Sequence, residues 1–362
     1  MNGLSREKEN IVLADCENEE VLPLAQALSY ESCPFHIKVH IANWKRTGKL
    51  SELKRYAKYF AVAFRYFLGR KKYKAIVGWQ QFYALIFCFY CELFSVRKTN
   101  IVAALNFTYK EKQGKLGKLY KWFMEKCVSS KYLDYIHVPS SDYADIFHHE
   151  FGFPRDRIMV TPFGVNDEYE RLCDLEPPEG FRKDGYALAI GRSNRDYDFL
   201  ISAWEEIDFP LVIISDTYKR DITANSITLL TDVAGEASYP WIVNCGVMVI
   251  PIDDGTICSG DTVLLTAMSL KRKIIVTAPS TLAEMYIVDG ENAVLSQKNK
   301  AALKTAVTDV LYASEYGKLG DCARECFLKE YTRSSMGYKL AEILNSRKEE
   351  QPDVSIMRNM QL

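Results

Sequence analysis

The chain of 362 residues has almost no net charge, no long apolar run and no pattern among its cysteines. Each absence removes a class of protein. With 46 Lys and Arg against 47 Asp and Glu the formal charge is -1, which argues against a dedicated nucleic-acid binder, since such affinity rests on an excess of cations. The longest apolar stretch, Phe82 to Cys91, follows Gln80-Gln81 and is closed by Glu92, well short of the roughly 18 residues of a membrane span. At most a peripheral membrane association is expected. The ten cysteines lack framework spacing and no secretory start signal precedes Asn10, so a cytoplasmic location is expected. Cys88-x-x-Cys91 has no second pair of Cys or His at zinc spacing, and Cys322 and Cys326 stand one helical turn apart without nearby ligands. All four read as buried thiols, and no metal is expected.

What is present is a chain long enough for two domains. Hydrophobic residues at 48% supply a core for each. The neutral total conceals a gradient. Between Lys45 and Lys121 there are 18 Lys and Arg but only Glu52, Glu92 and Glu111, an excess of 15 positive charges. A basic first half suggests an anionic partner such as a phospholipid surface, a lipid diphosphate or a nucleotide; a solvated basic face is the plainer alternative.

Read in order, short apolar runs alternate with helical periods. Strands are expected at Asn10 to Asp15, His36 to Ile41, Lys74 to Gln80, Asn100 to Leu105, Tyr135 to Ser140 and Arg157 to Val165. Leu53 to Lys72 reads as a basic, aromatic amphipathic helix, able to lie on an anionic membrane or to cover a sheet. Trp79 and Gln80 follow one strand and Asn106 another, at the strand ends where open α/β sheets bind ligands. Lys110 to Lys121 reads as a basic segment before a helix around Trp122 to Val128. Asn166 to Asp184, acidic and with Pro177-Pro178, reads as a linker. Alternation resumes at Tyr186 to Ile190 and continues to Ser296. This order implies parallel sheets with right-handed crossovers in both halves. Gln351 to Leu362 reads as a loose tail.

The stretch Ile190 to Leu200 organises the second half. A buried strand, Tyr186 to Ile190, enters the turn Gly191-Arg192-Ser193, and a helix follows through Phe199, Leu200, Ala203 and Trp204. Strand, tight turn and helix grip phosphate: glycine admits the ligand to the backbone, the helix start offers N–H groups, and Arg192 and Arg195 add charge. An ordinary turn with surface arginines is the alternative. A second loop, Asp253 to Asp261, precedes a helix over Thr262 to Leu270. Ser259 is placed to cap that helix, with the N–H groups near Gly260 facing a phosphate or sugar hydroxyls.

Several motifs then stand in order over about 130 residues: Pro162-Phe-Gly-Val-Asn166, Gly191-Arg192, Pro251, Ala267-Met268, Lys273-Ile-Ile-Val-Thr277 and Asp289-Gly290-Glu-Asn292. In these the chain resembles the nucleotide-sugar-dependent glycosyltransferases of the GT-B fold, most closely family 4. The resemblance implies an α/β architecture of two Rossmann-like domains facing a cleft. An acceptor-binding domain would span 1–165 and a nucleotide-sugar domain 166–330, with a helix at 331–350 packing back on the first domain and a tail at 351–362. It implies a nucleotide sugar and a glycan or lipid-linked acceptor as partners, and no metal or other cofactor. Arg195 corresponds to the family's diphosphate-binding basic residue, with Gly191, Arg192 and Ser193 beside it; Ser259, Gly260, Asp261 and Thr262 form the second donor loop. The family's paired glutamates fall on Cys258 and Thr266; Thr266 would keep one hydrogen bond to the ribose. Asp15-Cys-Glu-Asn replaces the glycine-rich turn after the first strand, and Asn106 stands nearest the position of the family's N-domain histidine. Trp79, Gln80 and Asn106 are the acceptor-side candidates, with Asn106 and Arg195 as the catalytic ones.

The leading expectation is therefore a retaining hexosyltransferase of cell-surface polysaccharide or glycolipid assembly. A scaffolding protein that has lost activity and a sugar-nucleotide epimerase are the rivals.

Overall fold

In the computed structural model, which describes residues 8–42, 49–222 and 224–349, the apolar runs become parallel strands and the periodic segments become the helices that cover them. The first sheet contains β1 (Glu9–Ala14), β2 (Ser29–Tyr30), β3 (Cys33–Val39), β4 (Tyr73–Gly78), β5 (Ile101–Ala104), β6 (Tyr135–Val138) and β7 (Ile158–Val160) in the order β2-β3-β1-β4-β5-β6-β7. Only β2 with β3 pairs antiparallel. Its helices are α1 (Asn18–Ala27), α2 (Lys49–Leu68), α3 (Gln81–Leu93), α4 (Gly114–Val128) and α5 (Ser141–Phe151).

The second sheet contains β8 (Ala187–Ile190), β9 (Leu211–Ile214), β10 (Ile227–Leu230), β11 (Val247–Ile250), β12 (Ile274–Ala278) and β13 (Val294–Gln297), all parallel in the order β10-β9-β8-β11-β12-β13. Its helices are α6 (Tyr169–Leu172), α7 (Tyr197–Trp204), α8 (Tyr239–Asn244), α9 (Asp261–Ser269), α10 (Thr281–Tyr286), α11 (Lys300–Tyr312) and α12 (Leu319–Glu330); α13 (Arg333–Glu349) ends the described chain.

The runs are continuous because parallel strands are buried on both faces. In β1, Ile11 and Leu13 join the core under α2, α3 and α4, while Val12 and Ala14 join the core under α1 and α13. The chain forms two compact units, one running to Phe163 and resuming at Arg333, the other Gly164–Thr332. In the first, α13 lies on α1 closely enough that a Cβ on Gly337 would sit 2.7 Å from the Leu24 carbonyl oxygen. Arg333 puts its guanidinium between the rings of Trp79 and Phe163, 4.3 and 4.9 Å from their centroids, and reaches Glu20 at 3.5 Å.

Three segments differ from the reading of the sequence. Asn166 to Asp184 is part of the second unit rather than a free linker. Asp167 binds Arg324, Leu172 is buried, Asn244 Nδ2 donates to the Leu175 carbonyl and Phe181 packs edge-on against Trp241. The helix expected around Trp122 to Val128 begins earlier, at Gly114, inside the basic segment Lys110 to Lys121; its first turns give no core-facing period because Leu116 and Leu119 point to solvent. Cys88 and Cys91 are buried thiols, but Cys322 is exposed on α12 and Cys326 only half-buried. The expected tail, Gln351 to Leu362, lies outside the described residues.

Candidate functional site

Both sheets reverse their winding direction beside a central strand. From β1 the chain moves out to β3 and then crosses back to β4; from β8 it moves out through β9 and β10 and crosses back to β11. Crossovers leaving such a point in opposite directions open a crevice at the strands' carboxyl ends. Each unit has a pocket there.

In the second unit a cavity of about 460 Å³ is lined by Gly191, Arg192, Ser193 and Arg195 from the turn after β8, Asp216 after β9, Ala234 and Gly235 after β10, and Ser259 to Val263 at the start of α9. Arg195 is its centre. Nη1 donates to the carbonyls of Ser193 and Asn194, each at 3.2 Å, and reaches Ser259 Oγ at 3.5 Å. Nε is buried and has no hydrogen-bond partner among the described residues. Burial draws the guanidinium's pKa below its ordinary value, the mark of a cation held out of water, although an arginine stays charged.

The two glycines of the site are set by this side chain. Gly191 has φ +151° and Gly260 φ +105°; a Cβ on the first would lie 2.8 Å from Arg195 Nε and on the second 2.5 Å from Nη2. The guanidinium is thus clasped by backbone from both loops. Asn194, itself at φ 55°, ties the loops together: its Nδ2 donates to the carbonyls of Asp254 and Ile257 at 3.0 and 3.2 Å, and its Oδ1 accepts from the Asp254 N–H at 2.7 Å. Nothing in the sequence around Asn194 marks that bridge, because its partners are some 60 positions away.

The other expected donor residues divide. Arg192 lies at the rim, exposed and paired with Asp216 at 2.8 Å. Ser259 is not the cap of α9. Gly260 occupies the N-cap without a side-chain bond, and Ser259 Oγ turns to the Ser193 carbonyl at 3.4 Å; the left-handed backbone at Gly260 carries residue 259 away from the helix axis. Asp261 and Thr262 line the pocket, with the Thr262 N–H donating to Asp261 Oδ1 at 3.0 Å. Thr266 lies one turn further along α9, outside the lining. Cys258 is half-buried with its Sγ donating to Met285 Sδ at 3.5 Å; burial, with Asp261 nearby, pushes the thiol up to about 12, so it is neutral.

In the first unit a cavity of about 340 Å³ is lined by Asp15, Arg55, Tyr59, Trp79, Gln80, Gln81, Asn106 and Thr108. Asp15, one residue past β1, accepts from the Tyr59 hydroxyl and from Gln80 Nε2, each at 3.0 Å. Gln81 clamps Thr108, donating to its carbonyl at 3.0 Å and accepting from its N–H at 3.1 Å. The structure therefore brings Trp79, Gln80 and Asn106 together and adds Asp15, Arg55 and Tyr59. Asp15 was readable as the first residue after a central strand; Arg55 and Tyr59 arrive from α2 and carry no such signal.

Asn106 has φ 51°, its N–H donates to His137 Nδ1 at 3.2 Å, and its buried Oδ1 has no partner among the described residues. His137 therefore accepts at Nδ1 and carries its proton on Nε2, 3.0 Å from the Thr161 carbonyl. Full burial lowers its pKa to about 4. Its contribution to stability is complete above the unfolded value of about 6.5 and is lost as pH falls towards 4, because the unfolded chain binds a proton that the folded one refuses. The loss should be on the order of 3 kcal/mol. Urea unfolding at neutral and acidic pH should show a steeper fall for the parent than for His137→Asn; parallel profiles would deny His137 this role.

Two Rossmann-like units, each with a parallel sheet that reverses at a central strand, define the GT-B class, and the chain has that fold. In sequence no family model and no curated protein matches it. Solved structures match over nearly its whole length: a glycosyltransferase from Rickettsia africae at TM-score 0.61 and 12% identity, covering 95% of this chain and 100% of that one; the sucrose-phosphate synthase of Thermosynechococcus elongatus at 0.63 and 13%, covering 95% and 100%; and Anabaena HepE in complex with UDP-glucose at 0.61 and 11%, covering 93% and 99%. Among the described residues no helix is long and apolar enough to cross a membrane.

Proposed function

We propose that the protein is a glycosyltransferase of the family 4 type that moves a hexose-type sugar from a nucleotide diphosphate to a glycan or lipid-linked acceptor, with retention, in surface polysaccharide or glycolipid assembly. The observation that carries this is Arg195, a half-buried cation whose Nε is buried without a partner among the described residues, clasped by Gly191 and Gly260 beside the N-terminus of α9. A charge held this way awaits an anion, and a diphosphate supplies two phosphate groups to meet the guanidinium and the helix N–H groups. Ile190, Ile214 and Val233 add an apolar wall for the nucleoside. As the bond from the sugar's anomeric carbon to the diphosphate breaks, its electrons pass to the leaving oxygen; the acceptor hydroxyl bonds to the same carbon and passes its proton to the departing phosphate oxygen. Arg195 is then closest to the charge that grows, and this role asks for no metal. The first unit's pocket, with the Asp15 carboxylate, the Tyr59 hydroxyl and the amide of Asn106 in its lining, suits a hydroxyl-rich acceptor.

HepE is a GT-B structure solved with UDP-glucose, so a uridine donor is the first to try. Calorimetry with nucleoside diphosphates should find a binder, and the matching nucleotide sugar should turn over only when an acceptor fraction is added. Binding without turnover would favour the scaffold reading, which rests on the neutral Cys258 and Thr266 where the resembling family has carboxylates. Conversion of the sugar without acceptor would favour an epimerase, and no binding at all would sink the proposal.

A further inference from the structure

We propose that α4, with the adjoining edge of α2, docks the protein on the surface of a bilayer that carries anionic lipid. The run Lys115-Leu-Gly-Lys-Leu-Tyr-Lys-Trp122 sets a lysine before an apolar residue at every third position. The fold turns those apolar side chains outward: Leu116 is 81% exposed, Leu119 58% and Trp122 48%, while Met124 and Cys127 of the same helix fill the core. The core therefore has its own residues, and packing within this unit leaves most of Leu116 and about half of Leu119 and Trp122 uncovered. α2 lies alongside. Phe60 of α2 and Phe123 of α4 have ring centroids 5.7 Å apart, and the Lys112 ammonium lies over both Tyr56 of α2 and Tyr120 of α4. Leu53 extends the apolar edge at 66% exposure. The aromatic face of α2 is not part of this surface, since Tyr59, Tyr66 and Phe67 are buried.

Charge selects the occupant. The apolar residues stand among Lys54, Lys112, Lys115, Lys118 and Lys121, inside the segment with 15 excess positive charges. A second copy would bring the same cations face to face, which opposes self-association. A lipid surface fits both features at once. The lysine stems reach along the apolar residues and leave their ammonium groups at phosphate level, Leu116 and Leu119 enter the acyl boundary, and Trp122 sits at the interface, where an indole is most at home. None of Leu116, Leu119, Trp122 and the lysines around them lines the first unit's pocket, so the inference holds or fails independently of the proposed reaction.

The test is sedimentation of the full chain with vesicles of phosphatidylcholine, alone and with phosphatidylglycerol added. Binding should appear with the anionic vesicles only and fall severalfold as salt is raised. Leu116→Ser with Leu119→Ser should lower the partition roughly tenfold or more, and Lys115→Glu with Lys118→Glu should do the same by reversing charge. Leu328→Ser, at a site 46% exposed on α12, should change nothing. The fluorescence of bound protein should shift to shorter wavelength, and Trp122→Phe should remove that shift. Equal binding to neutral vesicles, unchanged partition in the α4 variants, an equal loss in Leu328→Ser, or a dimer that the leucine variant dissolves would each overturn the proposal.

Discussion

Arg195→Ala should weaken nucleoside-diphosphate binding about a hundredfold, the order expected from losing a charged hydrogen-bond donor worth about 3 kcal/mol, and should leave thermal stability unchanged or slightly higher. Both signs follow from the free protein. The guanidinium lies largely out of water, its Nε meets no acceptor among the described residues, and its bonds go only to two carbonyls and a distant serine hydroxyl. A half-buried cation with so few partners is held at a cost that folding must offset, and a ligand anion repays it. Removing the side chain removes that cost along with the affinity. Calorimetry and a melting curve on one variant check both halves. Undiminished affinity would exclude Arg195 from the diphosphate site, and a large drop in melting temperature would make it a structural residue instead.

Gly260→Ala should do the opposite to stability while doing the same to binding. The residue holds φ +105°, and its new Cβ would stand 2.5 Å from Arg195 Nη2. A non-glycine residue in that backbone region costs on the order of 1–3 kcal/mol, and the guanidinium must move as well. The fold should lose stability by that order, and affinity should drop at least tenfold because the arginine no longer points where the ligand expects it. Combining Gly260→Ala with Arg195→Ala makes the argument sharper. The steric part of the penalty vanishes with the arginine and only the backbone strain remains, so the double variant should be more stable than the sum of the single changes implies. Strict additivity would mean that Gly260 serves the turn alone.

Much of the architecture was visible in composition and periodicity because of how parallel sheets are built. Val247–Ile250 and residues 274–276 are covered on both faces, so they read as unbroken apolar runs whatever surrounds them. Where an element's apolar residues serve something other than the core, the reading failed. The first two turns of α4 read only as a basic segment because Leu116 and Leu119 face outward. Asn166 to Asp184 looks like a linker because its attachment runs through single contacts, Asp167 with Arg324 and Asn244 with Leu175, that leave no period.

The same division runs through the site. Local chemistry marked Gly191, Arg195 and Gly260 as candidates for an anion site, since a strand, a glycine turn and a helix start stand close together there, with an ordinary turn as the alternative. The α/β class, the two sheets and these residue types were legible along the chain, because backbone preference and burial act over short distances. It took the folded chain to show that the two glycines clasp one guanidinium, that Asn194 joins two loops some 60 positions apart, that Ser259 leaves the helix cap to Gly260, and that Tyr59 and Arg55 come to Asp15 from α2. Those pairings depend on which strand lies beside which, and strand order is set by long-range packing that no local spacing encodes.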